Sequence, residues 1–172
     1  MSILIGVLLA LVVGVFATWI GFDRDRAFYP AVMIVIASYY VLFAAMGGSP
    51  QALLTECVVM APFLIAASLG FKRTQWLVVG ALAAHGGLDL VHPHLLSNPG
   101  VPAWWPHFCL AYDVVAAGYL AMLLIAPGWR GFIATADLTP RRLSTIDGEK
   151  KISGPVAAVL HRPGGQRQGR QK

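Results

Sequence analysis

Five stretches of the chain are almost without polar side chains, and short polar breaks separate them. The first, residues 2–21 (SILIGVLLALVVGVFATWIG), is apolar throughout and about as long as the roughly 20 residues a helix needs to cross the hydrocarbon of a bilayer. A secretory leader is the rival reading. No Lys or Arg precedes the run, no A-x-A site closes it, and its apolar core is longer than a leader's, so it reads as a retained span. The second (residues 31–46) follows the compact DRDR turn and Pro30, and the third (residues 52–70) follows the breaker cluster GGSP. Pro62 lies inside the third, where a kink is expected. The fourth, residues 76–92, is the shortest and most polar, and Pro93 is expected to end it. The fifth covers residues 107–126, with Trp104 and Trp105 before it as expected interfacial anchors.

The pattern predicts an all-α integral membrane bundle of five transmembrane helices over residues 1–127. Residues 128–172, rich in Gly, Pro, Gln and basic side chains, are predicted to form a mostly disordered cytoplasmic tail. Composition agrees: 57% of residues are hydrophobic and only 12% charged, against roughly a quarter charged in soluble domains. The net charge of +5 does not point to nucleic acid, because the basic residues gather in loops and tail. Of thirteen Lys and Arg, two lie in the first loop, two in the third and nine in the tail. With five spans these segments share one side, so the positive-inside rule places the N-terminus out and the C-terminus in. A bacterial inner membrane is the expected location. Two cysteines, Cys57 and Cys109, are too few for a disulfide framework; an oxidising outer side would permit them to pair, but they read first as helix-packing thiols.

The candidate chemistry lies in residues 75–112, which hold four of the five histidines. His85, Asp89 and His92 are spaced four and three apart, so they occupy an arc of roughly 60° on one helix face. At about 1.5 Å per residue, Glu56 on the third span and Asp113 on the fifth reach the same outer slab, with His107 at its rim. Tyr39 and Tyr40 reach it too and read as packing aromatics, and DRDR as a solvated turn. Ionisable residues inside a membrane normally face protein or water and mark function. Imidazoles and carboxylates converging from neighbouring helices suit a transition metal, with His85, Asp89, His92, His107, Glu56 and Asp113 as candidate ligands. No catalytic residue is assigned. A metal there would activate water or carry redox chemistry on a lipid-like or small-molecule ligand at the outer face. Two other readings use the same residues: a structural or assembly partner whose polar groups hold helices together, and a proton-linked small transporter, which at five spans would need a homo-oligomer.

The runs DRDRAFYPAVMIVIASYYVLFA, HGGLDLVHPHLLSNPGVPAWWPHFCLAYDV and AAGYLA resemble a group of small multipass membrane proteins known as a domain of unknown function, DUF6010. The resemblance covers residues 21–124 and implies a compact helical membrane bundle. It implies no activity, and the basic tail lies outside the common pattern.

Overall fold

The computed structural model describes residues 1–126, and the predicted tail lies outside them. They form five helices: α1 (Ser2–Ile20), α2 (Phe28–Met46), α3 (Pro50–Lys72), α4 (Trp76–Leu95) and α5 (Trp105–Ile125), with a short 3-10 turn, Phe22–Arg24, after α1. No strand occurs among the described residues. Helices α1, α2, α3 and α5 are long and apolar enough to cross a membrane. Helix α4 has the length, 20 residues, but its histidines and Asp89 make it less apolar. This architecture fits an integral membrane protein.

The helix ends follow local chemistry. Gly21 takes a left-handed conformation (φ 91°) that closes α1, its N–H donating to the Ala17 carbonyl. Ser49 caps α3 through a hydrogen bond from Ala52 N to its Oγ, and Pro50 occupies the first turn, where a missing N–H costs nothing. Two expectations change. Helix α4 does not end at His92 but runs through Pro93 to Leu95, because proline in the last turn removes only one hydrogen bond and Leu96 N still reaches the His92 carbonyl (2.9 Å). Trp105 is not an interfacial anchor. It is buried against Tyr39, Phe43 and Phe108, with ring centroids 4.8 to 5.4 Å away, whereas Trp104 is exposed.

Around the bundle α1 packs on α5, α5 on α4, α4 on α3 and α3 on α2, with α4 also reaching α2. Large aliphatic side chains such as Leu4, Leu8, Val12, Leu54 and Ile65 face outward, and much of the interior is alanine and glycine. Lipid tails are as apolar as leucine, so close backbone approach and dispersion hold the helices together instead of water exclusion. Helix α1 illustrates this. Its buried residues are Gly6, Ala10, Gly14 and Ala17, a small-residue stripe that lies on α5. A Cβ at Gly6 would collide with the Phe108 carbonyl oxygen, and one at Gly14 would press on the Tyr119 ring.

The loops divide between two ends. At one end Arg26 Nη2 donates to the Arg73 carbonyl (2.9 Å) and Gln75 Nε2 to the Arg26 carbonyl (2.6 Å), which joins the first and third loops. At the other, Gly47 and Gly100 meet backbone to backbone, which joins the second and fourth. The four basic residues before the tail therefore cluster at one end, Arg24 and Arg26 from the first loop and Lys72 and Arg73 from the third. The DRDR turn is not wholly solvated. Asp23 is 1% exposed and accepts a 2.5 Å hydrogen bond from Thr18 Oγ1, which also lies 2.9 Å from the Tyr119 hydroxyl. The Thr18 hydroxyl thus answers one oxygen of a carboxylate that composition alone would leave in water, while the other, Oδ1, is buried without a hydrogen-bond partner.

Gly6→Val is expected to lower the stability of the detergent-solubilised protein by about 1–3 kcal/mol through overpacking of α1 on α5. A Cβ at Gly87 meets nothing within 4 Å. Gly87→Ala should therefore stay within about 0.5 kcal/mol of the parent in the same thermal unfolding measurement.

Candidate functional site

The polar stripe of α4 turns inward. His85, Asp89 and His92 are each 1–2% exposed, so the face that the i, i+4, i+7 spacing defines is buried against α2, α3 and α5. Gly86 makes that possible, since a Cβ there would lie 3.3 Å from the Asp113 Cβ and 3.4 Å from the Leu110 carbonyl. Gly87 faces open space and has no such part.

The buried residues fall into two connected groups. In the inner group, His85 Nδ1 lies 2.7 Å from Asp113 Oδ2 and 3.7 Å from Asp89 Oδ2. With Asp113 ionised the carboxylate can only accept, and Nδ1 is then the donor of the 2.7 Å contact. Cys109, one turn before Asp113 on α5, puts Sγ 3.9 Å from the same Asp113 oxygen. One donor atom from each of His85, Asp89, Cys109 and Asp113 lies within 4.8 Å of the other three, and all four residues are buried. Asp89 Oδ2 and Asp113 Oδ1 are buried without a hydrogen-bond partner.

In the outer group, His92 Nε2 lies 2.8 Å from Glu56 Oε1, and Asn98 Nδ2 donates to the same oxygen at 3.0 Å. Asn98 Nδ2 also donates to the Tyr40 carbonyl (3.0 Å), and Asn98 Oδ1 accepts from Gly100 N (3.2 Å). The α4–α5 loop is thereby tied to the site. Tyr40 joins the groups: its hydroxyl donates to Asp89 Oδ1 at 2.6 Å, and its ring stacks on His92 with centroids 4.0 Å apart. The Phe63 ring stands edge-on to His85 at 5.0 Å, closing the α3 side.

The array holds three carboxylates and two imidazoles. With every carboxylate ionised and both imidazoles protonated it carries one net negative charge, and with neutral imidazoles three. Charge of that kind in a low-dielectric interior is costly unless it is paired or bound to a cation.

Five of the six sequence candidates, His85, Asp89, His92, Glu56 and Asp113, thus converge. His107 does not: it is exposed, on the wall of a pocket of about 550 Å³ between α4, α5 and their loop. Asp89 and His92 form part of the same wall. Sequence reasoning missed three members. From the sequence Cys109 and Tyr40 read as packing residues, and Asn98 as part of the polar break between the fourth and fifth runs. The spacing of Cys109 and Asp113, one turn apart on one face, was a usable signal. No spacing marked Asn98, which reaches Glu56 only because the loop folds back over the bundle. Cys57, the other thiol, is exposed on α3, and both cysteines are free.

Tyr40→Phe deletes the donor to Asp89 Oδ1 while keeping the ring stacked on His92. The expected outcome is a loss of about 1–3 kcal/mol from the unsatisfied buried acceptor. A melting temperature equal to the parent's would show that this hydrogen bond contributes nothing. No protein-family model, curated protein or solved structure matches the chain.

Proposed function

We propose that this is a metal-binding integral membrane protein whose centre is built by His85, Asp89, Cys109 and Asp113 in the outer half of a five-span bundle. One observation carries the reading: four ligand-type side chains from α4 and α5 converge within 4.8 Å in the bundle interior, and two of their carboxylate oxygens accept no hydrogen bond. A dication would offset two of the three negative charges of the two aspartates and the Cys109 thiolate. Binding would release the thiol proton and, if Nδ1 is the ligand atom, the proton between His85 and Asp113. One nitrogen, one sulfur and two oxygens form a donor set suited to tetrahedral Zn²⁺ and its neighbours. Zinc bonds of about 2.0–2.3 Å put tetrahedral donors about 3.3–3.8 Å apart, so the widest pair closes by about 1 Å. Glu56, His92, Asn98 and Tyr40 then serve as an outer shell that orients the ligands.

Orientation follows from charge. Helix α4 crosses with the others, the basic first and third loops face the cytoplasm, and the centre lies toward the opposite side with the N-terminus out. A bacterial inner membrane and membership of the resembled group of small multipass proteins belong to the same reading. An apolar crevice of about 440 Å³ between α1, α2 and α5 has Cys109 in its lining, with Leu9, Val13, Val32 and Ile36. It suits a lipid-like ligand beside the centre.

The competing reading makes these residues helix ties only. It is favoured by the Glu56–His92–Asn98 group, whose direct hydrogen bonds need no ion. Element analysis of the purified full-length protein separates the two. About one transition-metal ion per chain is expected, lost in a His85→Ala, Asp89→Ala double variant and retained in Glu56→Gln; metal-free parent protein removes the reading. With Co²⁺ loaded, Cys109→Ser should abolish a thiolate-to-metal absorption band that Cys57→Ser leaves in place. Topology has its own test: an alkaline phosphatase fusion after Gly48 should be active outside the cytoplasm and one in the tail inactive, and the reverse pattern would invert the orientation.

A further inference from the structure

Three of the five histidines, His92, His94 and His107, line the pocket between α4, α5 and their loop, and Asp89 lies in its wall with them. His94 and His107 are exposed, whereas Asp89 and His92 are 1–2% exposed. The pocket therefore grades from accessible imidazoles to buried ligands. No Lys or Arg contributes to its lining, whose other members are prolines, aliphatics, Ser97, Ala103 and Asn98. Asp89 belongs to both the pocket and the four-residue cluster, and its Oδ2 is buried with no hydrogen-bond partner.

We propose that this pocket is a second transition-metal site, a vestibule in which His94 and His107 take up an ion and pass it by way of Asp89 to the buried centre. The inference rests on the metal reading above. Neutral imidazole is a good ligand for zinc, copper, nickel and iron, and two exposed imidazoles give an exchangeable site, whereas a buried set of four holds its ion. Transfer is ligand exchange: metal–nitrogen bonds to the rim break as the metal–oxygen bond to Asp89 forms, and no electron changes hands. A carboxylate-bearing cleft without basic residues raises the local cation concentration and hence the rate of capture. His94 and His107 gain a use here that helix packing does not require, since neither is packed in the interior.

The test uses the full chain, purified, stripped with chelator and returned to lipid nanodiscs. Co²⁺ loading is followed by stopped-flow absorbance in the parent and in the His94→Ala, His107→Ala double variant. The double variant is expected to load at least about tenfold more slowly. Its release to chelator should slow by the same factor, because the buried centre and its Kd are unchanged. Equilibrium titration of the parent should show a weaker second Co²⁺ per chain that the double variant lacks. Equal loading rates in the two proteins would overturn the vestibule while leaving the buried centre in place. A parent that binds no Co²⁺ at all would overturn the metal reading itself. Both side chains are exposed, so the fold is expected to survive; should the double variant melt early, His94→Gln and His107→Gln singly carry the same comparison.

Discussion

The structure depends on the cost of holding carboxylates inside an apolar bundle. Asp89, Asp113 and Glu56 are each 2% exposed or less. Each has an answering group from another helix: Tyr40 from α2 for Asp89, His85 from α4 for Asp113, and His92 from α4 for Glu56. Because the partners come from different helices, meeting the electrostatic demand also fixes which helices are neighbours and how they are rotated. In lipid, where burying apolar side chains supplies little association energy, such pairs and the close contacts of small residues do most of that specifying.

The two devices divide the bundle. Helix α1 carries no ionisable side chain and is held to α5 by Gly6, Ala10, Gly14 and Ala17, supplemented at one end by Thr18, Asp23 and Tyr119. Helices α2 to α5 enclose the polar array. Helix α5 has both tasks: Phe108, Ala111 and Tyr119 receive α1, while Cys109 and Asp113 face α4. A membrane helix with two working faces has little tolerance for exchange of large for small residues.

The polar array differs from a plain helix tie in its surplus of negative charge. Pairing alone accounts for Glu56, whose oxygen receives two donors, but two aspartates share one imidazole. Asp89, one of the two, also lies at the boundary with the pocket between α4, α5 and their loop. Asp23 at the opposite end also keeps one oxygen without a hydrogen-bond partner, but among the described residues it belongs to no cluster of ligand-type side chains.

By itself the sequence determined the helices, their number and the segments that share an end, because apolar length and loop composition are local quantities. It also determined the inward face of α4, since the angular spacing of His85, Asp89 and His92 is a property of any helix. The stripe of small residues on α1 was legible in the same way, although hydropathy alone hides it among leucines and valines. What only the tertiary structure decided is which groups meet. The sequence places His107 and Asp113 on one helix near His92 in depth, yet the fold carries Asp113 into the cluster and leaves His107 on the pocket wall. Depth along the membrane follows from counting residues, but azimuth depends on how each helix is turned by its neighbours, as Gly86 against Asp113 and Gly100 against Phe43 show. Cys109, Tyr40 and Asn98 join the candidate site for that reason, through approaches across helices between residues 20 to 58 positions apart in the chain.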